Sequence, residues 1–260
     1  MNNQAQKNCV PNLGKACEVL QIVVAHPEGI SLADISERLD IPRTTAFRIL
    51  NTLCIHNFLQ KKNTHYESGF ELLRLGLIST SNLKIRDIAR PYLKALAHQS
   101  KETAHLALLS GTKVMILDVC ESPQPIRAAS RAGFLAELHS SATGKVFLAA
   151  MTPEELKELK PQLSLISLTR NTHTTWESLE ANLEQVRQLG YAIDEEEYYE
   201  GVRCMAMPVR GSEGKVIAAM GITGSTERLT LKMVPDTVIT LKSIVTELSK
   251  SMGYFWNINQ

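Results

Sequence analysis

IPRTTAFRIL, residues 41–50, opens beside a proline and carries two arginines and two adjacent threonines within one short apolar-periodic run. Pro42 is pre-set to open a helix. With successive residues about 100° apart, Ala46, Ile49, Leu50 and Leu53 share one face. Thr44, Arg48 and Asn51 fall nearly opposite. Thr45 lies on one flank and Phe47 on the other, where its ring is expected to pack against the preceding helix. Arg43 sits in the first turn, and the helix ends near His56–Asn57. One side of this helix thus carries polar groups that its own core does not need.

The flanking residues say what that side is for. Upstream, Ala16, Val19, Leu20, Val23 and Val24 form one face of an amphipathic helix, which HPEG at 26–29 stops. Ser31 caps a second helix, with Asp34 beside its positive end. Leu32, Ile35 and Leu39 make its inner stripe, and DIP at 40–42 turns the chain. Arg38 reads as a solvated charge. Downstream, FLQKKNTHYESG at 58–69 reads as a hairpin about Asn63–Thr64, with Lys61 and Lys62 near the tip. Residues 41–66 hold four cations, Arg43, Arg48, Lys61 and Lys62, and no carboxylate.

Helix, capped short helix, tight turn, helix and basic hairpin is the winged helix-turn-helix order. Its third helix fits the major groove, where small hydroxyls, an amide and arginine meet base edges and phosphates. Wing lysines add salt-dependent phosphate contacts. The plainer alternative is a solvated helix and hairpin whose charges simply point outward.

The remaining sequence bounds this reading. A chain of 260 residues is comfortable for two domains, and a net charge of +1 confines any nucleic-acid surface to a local patch. The five cysteines, Cys9, Cys17, Cys54, Cys120 and Cys204, form no C-x-x-C pair and read as free thiols of a reducing cytosol. The polar N-terminus MNNQAQKNCV is no signal peptide, and no apolar run approaches the roughly 20 residues of a membrane span. A cytoplasmic location is expected, without a membrane partner, metal or cofactor.

Phe70 to Ser81 reads as helical and runs into the polar connector STSNLK at 79–84, taken as the domain boundary. Ile85 to Ser100 reads as a helix that the ARP at 89–91 kinks or restarts. TAHLALLS and KVMILDVC read as a strand hairpin, and IRAASR (126–131) as a third strand. A helix at GKVFLAAM precedes TPEELKEL, which has Thr152 and Glu155 at capping-box positions. Trp176–Leu189 is a helix stopped by Gly190. CMAMPVR and KVIAAMGIT are strands about GSEG, and Pro235–Met252 is a final amphipathic helix. Helices mixed with strands that meet by short turns predict an α+β domain with an antiparallel sheet.

A ligand site is readable here too. The loop entering a helix at ATGK (142–145) presents free amides and a positive dipole end, a seat for a carboxylate. Thr143 adds a hydroxyl. Cys204 and Thr223, on adjacent strands, can line a floor. Asp194 either accepts from a ligand or satisfies local backbone, and the acidic run 194–197 reads as a solvated loop. Met205, Met207 and Met220 either shape the pocket or fill the core.

GISLADISERLDIPRTTAFRILNTL resembles the DNA-binding region of the IclR family of bacterial transcription regulators, in the Ser-Leu start, the Ile-Pro turn, Arg-Thr-Thr, the arginine and Leu-x-x-Leu. Asp40 and Asn57 stand where that family commonly has glycine, and both tolerate left-handed backbone. LHSSATGK (138–145), GYAIDEEEYYEGVRCMAMPV (190–209) and AAMGITGSTERL (218–229) are similar to family segments in the family's order. The resemblance implies two α+β domains: an N-terminal winged helix-turn-helix and a C-terminal GAF/PAS-like domain with a central antiparallel sheet. The expected organisation is a disordered tail at 1–12, DNA-binding domain at 13–76, helical linker at 77–84, effector-binding domain at 85–254 and tail at 255–260. It further implies a non-enzymatic repressor, a homodimer or dimer of dimers on double-stranded operator DNA. Ser31, Arg43, Thr44, Thr45, Arg48, Asn51, Lys61 and Lys62 would contact the DNA. Ser141, Ala142, Thr143, Asp194, Cys204, Gly221 and Thr223 would hold a small organic acid. Gly221-Ile222-Thr223 stands where the family often has Ser-x-Ser, which leaves room for a sugar acid or aromatic acid.

Two rivals stay open. One is a Cys-dependent enzyme built on Cys204 with His105 or His139; SSATGK is no phosphate loop, because position 139 is histidine and Val146 follows the lysine. The other is a ligand sensor whose helix-turn-helix works through protein contacts.

Overall fold

Helix α1 spans Pro11–Val24, with Pro11 in its first turn. The expected tail to residue 12 is therefore two residues too long at its inner end. Strand β1 (Ile30–Ser31) leads into α2 (Leu32–Arg38), and α3 covers Arg43–Ile55. Strands β2 (Leu59–Lys62) and β3 (His65–Ser68) form the wing, and α4 spans Phe70–Ser81. The sheet order is β1-β3-β2, all antiparallel. Val19, Val23, Ile30, Ile35, Ile49, Leu50, Leu59 and Tyr66 make one buried core. The computed structural model describes residues 10–81, 84–125, 127–128 and 130–254. Positions 1–9 and 255–260, expected as tails, lie outside them.

The turn residues follow the predicted backbone. Asp40 and Asn57, expected to tolerate left-handed backbone, have φ of 48° and 58°, and Asn63 at the hairpin turn has φ of 56°. Each takes the left-handed conformation that a short polar side chain tolerates.

The chain divides into two compact units at Leu83/Lys84. α4 runs through residues 79–81, the first half of the segment expected as a connector. In the second unit, α5 (Lys84–Ser100) continues unbroken past Pro91 instead of restarting. Strands β4 (Thr103–Ser110) and β5 (Lys113–Cys120) form the expected hairpin. The expected strand at 126–131 is absent from its described residues, and β6 (Leu135–Glu137) pairs with β5 instead. Thr103, at the start of β4, donates to the Ala128 carbonyl at 3.1 Å.

Helix α6 spans Ala142–Ala150, and α7 (Pro153–Leu159) carries the complete Thr152/Glu155 capping box. Helix α8 (Trp176–Leu189) ends at Gly190 with φ of 76°. Strands β7 (Ala192–Glu195), β8 (Val202–Arg210) and β9 (Val216–Ser225) precede α9 (Val234–Ser251). The sheet order is β6-β5-β4-β9-β8-β7, antiparallel throughout. α5 and α9 pack on each other and on this sheet, and α6 packs on α8, β7, β8 and β9.

Because side chains alternate across a strand, register decides which residues share a face. Asp194, Cys204, Thr223 and Thr103 lie in one row across β7, β8, β9 and β4. Ala192, Ala206, Gly221 and His105 form another. Met205, Met207 and Met220 are out of phase with these rows and buried, so they fill core.

Candidate functional site

In the first unit, Ala46, Ile49 and Leu50 seal α3 against the core, which turns the opposite arc outward. Arg43, Thr44, Arg48 and Asn51 are exposed, and Thr45 is half-buried on the flank. Phe47, expected to pack against the preceding helix, keeps 51% of its surface exposed. Pro42 offers no side-chain cap, so the first amides of α3 keep their outward donors. Ser31 is engaged at the start of α2: its hydroxyl accepts from the Asp34 amide at 3.3 Å and donates to the Asp34 carboxylate at 2.6 Å. The wing lysines are exposed. The Lys61 ammonium stands 5.8 Å from the Tyr66 ring centre, and Lys62 lies 3.8 Å from Glu67. The structure thus gathers Arg43, Thr44, Arg48 and Asn51 on one surface.

In the second unit a cavity of about 460 Å³ lies between the sheet and the N-terminus of α6. Six of the seven sequence-predicted residues line it: Ser141, Ala142, Thr143, Asp194, Cys204 and Thr223. Gly221 is not among the lining residues. A Cβ there would come 2.3 Å from the Met205 carbonyl oxygen and 3.1 Å from His105 Nε2, so the bare position makes room for the imidazole.

Ser141 caps α6. Its hydroxyl accepts from the Gly144 amide at 3.1 Å and donates to the Glu137 carbonyl at 2.5 Å. Helix geometry leaves the Ala142 and Thr143 amides without intrahelical acceptors at the cavity wall. Gly144 allows the close approach of this helix start, since a Cβ would fall 2.3 Å from the Leu138 carbonyl oxygen. Lys145, which completes ATGK, points elsewhere. It is fully buried and bonds Glu197 at 2.5 Å.

That pair corrects the reading of 194–197 as a solvated loop, for Asp194 and Glu197 are both buried. Asp194 Oδ1 accepts from the amides of Glu197 and Tyr198 at 2.7 and 3.2 Å. Burial, and then the Glu197 charge, push the Asp194 carboxyl up to about 7. Across the row, Cys204 Sγ lies 3.2 Å from Thr223 Oγ1, which lies 3.4 Å from His105 Nδ1. Burial lowers His105 to about 4 and, with Asp194, raises the Cys204 thiol well above its ordinary value. A neutral imidazole beside a protonated thiol is no activated nucleophile. His139 is turned away, bonded to the Ile166 carbonyl at 2.9 Å.

The sequence reading missed much of the remaining lining. Arg131 supplies a cation, and Ile116, Phe134, Tyr198, Tyr199 and Val202 supply apolar and aromatic wall. Tyr198 packs edge-on to Phe134, with ring centres 6.2 Å apart. Phe134 and Arg131 belong to the segment leading into β6, where no periodicity marks a site. Among the described residues, no helix is long and apolar enough to cross a membrane.

A basic winged helix-turn-helix followed by an α+β unit holding a ligand-sized cavity defines a transcription regulator with a C-terminal effector domain. The chain belongs to the IclR family. Residues 13–62 match the IclR helix-turn-helix domain, and residues 78–250 match the bacterial transcriptional regulator IclR C-terminal domain. It is 29% identical to the transcriptional regulator XynR of Escherichia coli over 247 residues, covering 94% of this chain and 98% of XynR. It is 30% identical to the transcriptional repressor AllR of Escherichia coli over 220 residues, covering 84% and 81%. The crystal structure of Thermotoga maritima IclR superposes with a TM-score of 0.75 at 32% identity, covering 94% of this chain and 99% of that one. These relatives are regulators of transcription, and so is this protein, which is not an enzyme.

Proposed function

We propose that the protein is a cytoplasmic, sequence-specific repressor whose operator affinity is controlled by a small organic acid bound in the cavity above the sheet. It acts as a homodimer or dimer of dimers, since one recognition helix reads only a few base pairs. Arg43, Thr44, Thr45, Arg48 and Asn51 meet bases and phosphates, and Lys61 and Lys62 meet the flanking backbone. Ser31 acts there by fixing the start of α2. The repressor sense follows the named role of AllR.

The observation that carries the effector reading is the cavity itself. The free amides of Ala142 and Thr143, at the positive end of α6, face a pocket that also holds Arg131. This is a seat for a carboxylate, while Phe134 and Tyr198 suit the body of a sugar acid or aromatic acid. Asp194 in its neutral form donates a hydrogen bond to a ligand oxygen. Gly221 contributes by admitting His105 beneath the site.

Calorimetric titration of the full-length protein with a panel of carboxylates tests this. An acid should bind, and Thr143→Val and Asp194→Ala should each weaken it. A bound acid indifferent to both changes overturns this assignment of the pocket.

A further inference from the structure

Phe47 stands on the flank of the surface that the previous reading assigns to bases, between Asn51 and Arg43 around the helix. About 100° separates successive residues, so Asn51 lies about −20°, Arg48 about +40° and Phe47 about −60° from Thr44 around α3. The seam of Ala46, Ile49, Leu50 and Leu53 occupies roughly 140° to 240° on the same wheel. The phenyl ring is thus an apolar group, half exposed, set among guanidinium, hydroxyl and amide groups. Isolated exposed rings are ordinary. This one, however, sits a little over one turn from the end of α3 that a helix-turn-helix protein lays against base edges. Ile55 is also exposed on this arc, but at the far end of the helix.

Phosphates match the nearby cations, and base amides and carbonyls match Thr44, Arg48 and Asn51. A phenyl ring can neither accept from nor donate to those groups. The apolar feature on the major-groove edge is the 5-methyl group of thymine. We infer that Phe47 reads a thymine in each half-site by burying that methyl against its ring. This rests on the DNA-reading function proposed above, and it adds a specificity residue of different chemistry from the hydrogen-bonding set.

The test uses the full-length protein and the duplex it selects from random-sequence DNA. Thymines are replaced one at a time by uracil, which removes the methyl and leaves every hydrogen-bonding group in place. At one position per half-site, binding should weaken about fourfold, the worth of one buried carbon. Phe47→Ala removes the contact in both half-sites of a dimer, so it should bind the thymine duplex roughly sixteenfold more weakly and should no longer distinguish thymine from uracil there. Phe47→Gln, better suited to an exposed helix position, should behave alike. Equal binding of thymine and uracil at every position overturns the inference, as does a methyl preference that survives both substitutions. If no duplex is selected at all, the regulator reading fails and this inference falls with it.

Discussion

Asp194 shows how burial turns a common side chain into a pH-dependent one. Its ordinary value of 3.8 rises to about 7 because burial and the Glu197 charge both oppose ionisation, more strongly than two backbone amides and the Lys145 charge favour it. The folded form therefore holds this proton more tightly than the unfolded chain does. The resulting stability is fully present below about pH 4 and is lost as pH rises toward 7. Asp194→Asn keeps an acceptor for the Glu197 and Tyr198 amides and removes the charge. It should raise the melting temperature, by an increment that grows from pH 5 to pH 8 and reaches several degrees, on the order of a few kcal/mol. A gain independent of pH would refute the assignment. The same proton should couple to ligand. A carboxylate in the cavity favours neutral Asp194, so acid affinity should fall as pH passes from 6 to 8, and Asp194→Asn should flatten that profile. Calorimetry at three pH values reads it directly. The residue was visible in the sequence as a candidate acceptor. Its burial was not, because the countercharge on Glu197 comes from Lys145, 52 residues away.

At the scale of elements, what could be read depended on whether the signal was local. The outward arc of α3, the wing, the α7 capping box and the Gly190 stop each rest on a few adjacent residues, and the structure follows them. β7 was not read as a strand, because two of its four residues are acidic and the partner that places Asp194 beside Cys204 is the later strand β8. β6 was misplaced to 126–131 for a related reason. Strand pairing is a long-range outcome, and the strand is only three residues long, one of them acidic. The same logic applies to α6 and the turn after β7, which the buried Lys145–Glu197 pair ties together. Removing one partner should strand a charge in the core. Lys145→Met is expected to cost roughly 3–5 kcal/mol in denaturant unfolding of the second unit. Replacing both, Lys145→Met with Glu197→Leu, should recover most of the loss, and an additive double variant would rule out direct coupling. Gly144→Ala should cost about 2 kcal/mol by overpacking alone, since its Cβ meets Leu138 backbone that belongs to the same unit.

At the scale of the whole molecule, a net charge of +1 hides a local surface of four cations. Operator binding should therefore weaken steeply with salt, by a slope of about 0.9 per phosphate contact. Removing Lys61 and Lys62 together should reduce that slope by roughly 2 to 4 for a dimer, while leaving base preference intact. Arg48→Ala should blunt the preference itself. Salt-independent binding would favour a sensor that acts through protein contacts. The effector acts on this equilibrium only if it prefers one arrangement of the DNA-binding units over another. Such a preference is reciprocal: an acid that weakens operator binding tenfold, about 1.4 kcal/mol, must itself bind tenfold more weakly to the protein–operator complex. Calorimetric titration of the acid into free protein and into the complex should show that difference, and Thr143→Val should shift both affinities while leaving operator binding without acid unchanged. An acid that binds both forms equally would occupy the cavity without controlling transcription.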